Sequence, residues 1–313
     1  MHTIKNFLFR SLLTLCLILT CTSANAGAAE MDGMSTFREA YFANPPQSHQ
    51  FETTATFFGP TFHLDAKMCG EWNSNGTLWC GGEIDFDDTD LKTGHTSKKN
   101  IPVYMEYSGD SLYFYGKDKN VWQREQIMGI PMWIAYLIKS RDMAVLEENA
   151  SAVQSVRLNK DDGTQQQMQI VLNGPRLAEL TRSHGMKGSD MDRQFAEYLA
   201  QAMEQTSIEV AWVVDKNTKQ TITLSANLTE LMRNYAKSIL QASYESKLTL
   251  STDDQDFYKT IGYYCNLNFY CNRTNSQPKI KGAYDIGRMA KNSSTDGNTL
   301  DTLRNEAVNA TVR

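Results

Sequence analysis

The sequence predicts an α+β protein on an antiparallel sheet, for three reasons. Short runs with a two-residue apolar period follow one another between turn clusters, the pattern of hairpin-connected strands. Segments with a 3.6-residue apolar period interrupt and follow these runs, which indicates helices that cover the sheet. The 313 residues are 41% hydrophobic and 21% charged, so the chain can bury a core. Its net charge of −5 lacks the dense basic surface of a nucleic-acid-binding protein.

Residues 1–26 have the pattern of a secretory signal peptide. Lys5 and Arg10 form a positive start, an apolar run covers residues 12–19, and Ala24-Asn25-Ala26 is a small-x-small cleavage site. The apolar run is far shorter than the ~20 residues of a membrane span. Cleavage after Ala26 removes two positive charges and no negative one, so the net charge becomes more acidic. We therefore expect a periplasmic or secreted protein.

Two alternatives concern the compartment. Cys21 follows the apolar residues of a lipobox and would anchor the mature chain through a lipid, but Thr20 stands where Gly, Ala or Ser is usual. The sequons Asn75-Gly76-Thr77 and Asn272-Arg273-Thr274 leave open a eukaryotic secretory origin instead of a bacterial one.

The rest of the chain is predicted to form a single domain. Residues 27–48 make an N-terminal segment with a short helix over residues 34–44, residues 49–285 the α+β domain, and residues 286–313 a loose polar tail low in aromatics. The expected order is strands over 50–125, a helix over 130–147, strands at 152–158 and 166–172, a helix from Ser189, a hairpin of 208–214 with 221–226, and a helix from Leu228.

Four cysteines remain after cleavage, and an oxidising compartment predicts two disulfides. If Trp72 pairs with Thr77 around the four-residue loop 73–76, Cys69 lies directly opposite Cys80. A two-residue turn at Asn75-Gly76 is the alternative, and it would leave these cysteines diagonal, too far apart to bridge.

Cys265 and Cys271 are close enough in sequence to close a second tight turn. The alternative, a metal site, is disfavoured because no CxxC motif occurs and no histidine lies near either pair in sequence. We therefore expect no metal.

No familiar catalytic motif is present. GxSxG, HExxH, GxGxxG and GxxxxGK[ST] are all absent, and the histidines of the mature chain are far apart in sequence. Asp85, Asp87, Asp88 and Asp90 resemble a calcium loop, but Asp90 stands where an EF-hand needs Gly, so a solvated turn is favoured. We expect a protein that is not an enzyme; a secreted hydrolase with an unrecognised site is the remote alternative.

The informative feature is a meander with aromatic side chains on both faces. A two-residue turn at 109–110 pairs Tyr104 with Tyr115, and one at 118–119 pairs Tyr115 with Trp122, so these three rings form a row. The opposite face is also apolar, through Val103, Met105, Tyr107, Leu112, Phe114 and Val121. An antiparallel sheet normally shows water one polar face. Here the second face would line an apolar cavity, receive a partner, or lie in a larger ordinary core.

The segment 130–138 is apolar all round, so as a helix it is buried in the core or lines the mouth of a cavity. Together with the aromatic row and Trp212, it supplies the residues that we expect to contact a ligand. These candidates are Tyr104, Tyr115, Trp122, Met132, Trp133, Tyr136 and Trp212.

The order of elements over residues 34–245 resembles the LolA/LolB/LppX-type superfamily of periplasmic lipoprotein- and lipid-binding proteins. The nearest local match is the hairpin in which Asp215-Lys216-Asn217-Thr218-Lys219 turns into 221–224 before the Leu228-Thr229-led helix. The resemblance implies an incomplete antiparallel β-barrel wrapped around helices, an apolar cavity for acyl chains, no catalysis and no cofactor. The two expected disulfides, the 265–271 extension and the extra length depart from that pattern.

The sequence thus predicts a non-catalytic exported protein that holds a lipid or an acylated protein and contacts a membrane only transiently. The alternative is a cell-envelope interaction module that docks a protein partner on the same aromatic face.

Overall fold

The computed structural model describes residues 31–43, 48–73, 78–89, 93–108, 111–118, 121–127, 143–183, 190–273 and 277–296. The predicted signal peptide and most of the predicted helix over 130–147 lie outside these residues. The strands are β1 (Ser48–Phe58), β2 (Phe62–Asn73), β3 (Leu78–Thr89), β4 (Thr96–Ser108), β5 (Ser111–Asp118), β6 (Val121–Ile127), β7 (Val153–Asp161), β8 (Gln165–Leu172), β9 (Ile208–Asp215), β10 (Thr221–Asn227), β11 (Asn266–Arg273) and β12 (Ser294–Asp296). The helices are α1 (Met31–Phe42), α2 (Met143–Ala150), α3 (Gly174–Ser183), α4 (Asp190–Glu204), α5 (Thr229–Tyr244), α6 (Thr252–Tyr264) and α7 (Gln277–Ser293).

All described strands form one open sheet in the order β12-β6-β5-β4-β3-β2-β1-β11-β10-β9-β8-β7. Two antiparallel meanders, β1–β6 and β7–β10, are joined because β11 lies between β1 and β10 and pairs antiparallel with both. The expected α+β class with a large antiparallel sheet is confirmed at this level. One strand departs from it, since β12 runs parallel to β6 at the edge.

Strict alternation gives the sheet a core face. In β9, Ile208, Val210, Trp212 and Val214 are buried, and the intervening positions are not. The pairing register extends this face to Cys271 on β11, Met68 on β2 and Met105 on β4. A single large cluster of buried side chains joins the core face to residues of α1 to α6.

The helices form where apolar residues recur with helical spacing. On α5 the buried residues recur at helical spacing and give the helix one apolar face: Leu231, Met232, Tyr235, Ile239 and Leu240. The N-terminus of α6 is capped by the Ser251 hydroxyl, which accepts a hydrogen bond from the Asp254 backbone N–H. No helix among the described residues is both long and apolar enough to cross a membrane.

The structure forms neither of the two expected disulfides. In the observed register Trp72 pairs with Leu78, which places Cys69 opposite Gly81 and Cys80 opposite Gly70. A one-residue difference from the predicted register moves the two sulfurs to opposite faces of the sheet.

The predicted turn between Cys265 and Cys271 is instead the extended strand β11. Six residues of strand span roughly 20 Å, whereas a bridge needs α-carbons within about 7 Å. The alternation of Leu267, Phe269 and Cys271 inward with Asn268 and Tyr270 outward is the strand signal here.

The expected loose tail from residue 286 also differs from the structure. The helix α7 continues to Ser293, with Ala290 fully buried, and β12 follows it. The acidic positions Asp85, Asp87 and Asp88 lie within β3 instead of a turn; Lys98 binds Asp87, and the Asn100 amide donates to Asp85.

Candidate functional site

The face opposite the core face, here called the outer face, changes character along the sheet. From β7 to β2 it is polar, with residues such as Arg157, Gln169, Ser225, Thr54 and Lys67. On β3 to β6 it carries five aromatic rings, which we call the aromatic patch: Trp79, Tyr104, Tyr113, Tyr115 and Trp122. A polar outer face is what an antiparallel sheet shows to water, so the patch requires a cover.

The strand register brings Tyr104, Tyr115 and Trp122 together as predicted, except that Trp122 is shifted along its strand. Tyr104 pairs with Tyr115, as the turn at 109–110 predicts. On β6 the register is shifted by two residues, so Trp122 lies opposite Lys117 and Arg124 lies opposite Tyr115. Because a shift of two residues keeps every side chain on its face, Trp122 still belongs to the patch. The Arg124 guanidinium carbon lies 4.1 Å from the centre of the Tyr113 ring.

The rings contact one another and are removed from solvent. The centres of Tyr104 and Tyr115 are 5.7 Å apart, and the Trp79 ring stacks on Tyr104 at 6.4 Å. Tyr104, Tyr115 and Trp122 are only 3%, 3% and 5% exposed. A separate buried cluster therefore lies on the outer face, opposite the main core.

The cover of the patch is α7, which packs across β2 to β6. Ala283, Gly287 and Ala290 lie on the buried side of this helix, at the spacing of one helical face. A methyl group on Gly287 would overlap the Tyr104 ring, and one on Gly81 would lie 2.7 Å from the Ala283 carbonyl oxygen. Because both glycines lack a side chain, α7 can lie directly on the Tyr104 ring and on β3.

One carboxylate organises the polar groups of the site. Glu106 is 13% exposed and accepts hydrogen bonds from the hydroxyls of Tyr104 and Tyr115, each at 3.1 Å. The Lys291 ammonium of α7 lies 2.5 Å from the Glu106 Oε2 atom and 5.5 Å from the centre of the Tyr104 ring. The helix is thus fixed to the patch by an ion pair as well as by packing.

Burial and this carboxylate disfavour ionisation of the phenols. Burial, and then the negative charge of Glu106, raises the pKa of Tyr115 to about 12. The same two causes raise the pKa of Tyr104 well above its ordinary value. Both rings remain neutral hydrogen-bond donors across the physiological range.

The remaining predicted ligand contacts are elsewhere. Trp212 lies on the core face, where its ring packs edge-on against Phe37 with centres 5.8 Å apart and its indole N–H donates to the Thr221 hydroxyl at 3.0 Å. It does not join the patch. Met132, Trp133 and Tyr136 lie outside the described residues.

Sequence reasoning missed Gly287 and Lys291 because it assigned them to a polar tail. The available signal was the repeat of small residues at 283, 287 and 290, with Ile286 beside them, which gives one apolar helical face. Sequence reasoning did not single out Glu106 as a site residue, because only the folded chain shows that two tyrosine hydroxyls meet its carboxylate.

The site consists of an apolar surface of rings and of charged groups that already pair with their neighbours: Glu106 with Lys291, and Arg124 with the Tyr113 ring. The described part of the chain holds no group of three or more His, Cys, Asp or Glu side chains placed to bind a metal ion. In this structure the five rings bury the apolar face of α7, and an apolar ligand could use the same surface in place of that helix.

The sequence matches no known family model, and no curated protein resembles it in sequence. Among solved structures, the crystal structure of LprF from Mycobacterium bovis is similar in part. It is 7% identical to this chain, the match covers 80% of this chain and 94% of that chain, and the TM-score is 0.35. This is a distant structural likeness that carries neither fold nor function across, so the expected LolA/LolB/LppX-type relationship stays a prediction.

Proposed function

We propose that this chain is an exported, non-catalytic binding protein that holds the acyl chain of a lipid or of a lipidated protein against the aromatic patch. Export follows from the signal-peptide pattern of residues 1–26. The proposal includes the half-barrel arrangement, with the sheet wrapped around its helical layer.

The observation that carries the proposal is the contrast along the outer face. Five aromatic rings lie side by side on β3 to β6, on a face that is polar on the neighbouring strands. Tyrosine and tryptophan combine a large apolar area with a polar tip, which suits a wall that meets an acyl chain and its headgroup. In the structure α7 covers these rings, so an acyl chain would bind them in place of that helix.

The energetics suit an unspecific apolar ligand. Burying one methylene group is worth roughly 0.8 kcal/mol, so ten methylenes give about 8 kcal/mol before ordering costs, which corresponds to a dissociation constant near micromolar. Such binding needs no reactive group and little polar specificity.

The test is native mass spectrometry of the protein purified without detergent, together with titration of a dansyl-labelled undecanoic acid. We expect a co-purified lipid mass and a saturable rise in dansyl fluorescence. Trp122→Ala should weaken the titration, whereas Tyr263→Ala, at an exposed position of α6, should not. A clean apo mass together with no probe uptake contradicts the proposal.

A second candidate, docking of a partner helix from another envelope protein, is favoured by one observation. The patch already receives a helix, α7, through a face of small residues, and a helix in an apolar groove is a common mode of recognition. In this case Tyr104→Ala or Trp122→Ala would abolish capture of the partner by the immobilised protein and leave uptake of the dansyl probe unchanged. Loss of probe uptake in the same variants favours the acyl ligand instead.

A further inference from the structure

The segment 277–296, formed by α7 and β12 and here called the C-terminal strap, occupies the surface that the proposed ligand needs. It lies across the aromatic patch and continues along the edge of the sheet, where Ser294, Thr295 and Asp296 pair with β6. With the strap in this position Tyr104, Tyr115 and Trp122 are almost completely buried. An acyl chain can therefore reach them only if the strap moves.

Over residues 281–293, whose side chains the structure describes, the strap contributes little apolar surface of its own to this interface. Its buried contacts come from Ala283, Gly287 and Ala290, and Ile286 is the larger side chain that packs on the patch. Among residues 281–293, Tyr284 and Met289 are 58% and 52% exposed, and Tyr284 touches the patch only through the edge-on contact of its ring with Trp79, with centres 5.9 Å apart. Most of the apolar area in the interface thus belongs to the rings, and a bound acyl chain would bury the same rings equally well.

Among the described residues, two polar contacts attach the strap to the sheet, an ion pair and a short strand pairing, and both are weak. Lys291 is 46% exposed at its ion pair with Glu106, so water and salt screen this pair. The pairing of β12 with β6 is three residues long. Segments with few buried apolar groups and partly solvated attachments typically have a low free energy of local unfolding.

We propose that the C-terminal strap is a displaceable cover of the aromatic patch, and that its release exposes Tyr104, Tyr115 and Trp122 to the acyl ligand. This inference rests on the proposed function and adds its regulation: ligand and strap compete for one surface. The strap then protects the rings from water while the site is empty, and the bound chain protects them when the strap is displaced.

The decisive variant is Gly287→Leu in the full chain, because its side chain collides with the Tyr104 ring and lifts the strap. The matched control is Gly282→Leu on the same helix, where an added Cβ meets no atom within 4 Å. Lys291→Glu is a second opening variant, since it places a negative charge beside Glu106 without adding bulk. Each is compared with the unmodified protein by hydrogen–deuterium exchange and by titration with the dansyl-labelled undecanoic acid.

We expect Gly287→Leu and Lys291→Glu to speed exchange in residues 277–296 and to tighten probe binding, each by about tenfold, as a shift toward the open state requires. Exchange in β8 and β9 should stay unchanged, and Gly282→Leu should behave as the unmodified protein. Saturating probe should also speed exchange of the strap in the unmodified protein.

Two results overturn the inference. One is probe binding of equal strength whether the strap is closed or opened, in which case the proposed function stands and the competition does not. The other is strap exchange as slow as that of β8 and β9 in both opening variants. If the strap opens and no variant binds the probe, the proposed function itself fails.

Discussion

At the scale of single residues, Glu106 has the most consequence. It is a nearly buried carboxylate, and its two oxygens accept hydrogen bonds from two tyrosine hydroxyls while Lys291 neutralises its charge. A buried charge is tolerable only when it is paired and hydrogen-bonded in this way. Glu106 therefore links β4, β5 and α7 at one point.

Replacing Glu106 tests this link. We expect Glu106→Gln to lower the free energy of unfolding by about 1–2 kcal/mol, because the amide replaces one of the two accepting oxygens by a donor group and removes the partly solvated ion pair. Urea denaturation is the measurement, and Glu83→Gln, an exposed position of β3 on the same outer face, is the control. Equal midpoints for the two variants would show that the Glu106 charge is dispensable.

The raised pKa of Tyr115 predicts that the free energy of unfolding falls at high pH. Because burial and Glu106 raise its pKa from 10.0 to about 12, the unfolded chain loses the phenol proton between these values and the folded chain keeps it. The stabilisation is complete below pH 10.0 and is lost as the pH rises toward about 12, at up to about 1.4 kcal/mol per pH unit.

The corresponding measurement is thermal unfolding across that pH window. We expect the melting temperature of Tyr115→Phe to fall less steeply with pH than that of the unmodified protein, since one phenol no longer titrates. Phe58→Leu, at an exposed ring without an ionisable group, should leave the slope unchanged. If the melting temperatures of the unmodified protein and of Tyr115→Phe fell in parallel with pH, the raised pKa of Tyr115 would be contradicted.

At the scale of elements, strand register decides which side chains meet. A two-residue shift on β6 kept Trp122 in the aromatic patch, whereas a one-residue shift between β2 and β3 separated Cys69 from Cys80. The difference arises because side chains alternate faces with a period of two. Turn length, which sets this register, was the least reliable part of the sequence prediction.

Thiol titration checks the register. When the chain that follows Ala26 is denatured without reductant, we expect a thiol reagent to titrate all four cysteines. In the native protein Cys69 should react first, because Cys80, Cys265 and Cys271 are buried. Burial also raises the pKa of the Cys80 thiol to about 12 and that of Cys265 to about 11. Fewer than four thiols in the denatured chain would restore a disulfide and contradict the strand pairing.

At the scale of the whole molecule, β11 joins the two meanders into one sheet. Its inward residues Leu267 and Phe269 are 0% and 2% exposed, so they fill the core where β1 and β10 would otherwise be separated. The stability of the complete sheet should therefore depend on this short strand from the last quarter of the chain.

Phe269→Ala tests this role. We expect it to lower the free energy of unfolding by about 3–5 kcal/mol through the cavity that it leaves. Tyr270→Ala, the next residue of the same strand but 43% exposed on the outer face, should change stability by less than about 0.5 kcal/mol. Denaturant unfolding measures the free energy of unfolding of both variants. Similar decreases in the two would mean that β11 is not a core strand.

Local pattern alone determined the strand alternation of β9, the buried stripe of α5, and the pairing of Tyr104 with Tyr115, because each depends on residues close in sequence. It also predicted the α+β class and the apolar character of both faces of the meander. These features follow from the periods of helix and strand, which a sequence displays directly.

Only the tertiary structure decided where the distant parts of the chain go. It placed β11 between β1 and β10, laid α7 over the aromatic patch, separated Trp212 from that patch, and brought Lys291 to Glu106. These contacts join segments that are far apart in sequence, and their geometry depends on which faces remain uncovered after the local elements have formed. Small residues such as Gly287 carry no apolar signal in a sequence, yet their lack of bulk is what allows the helix to lie on the Tyr104 ring.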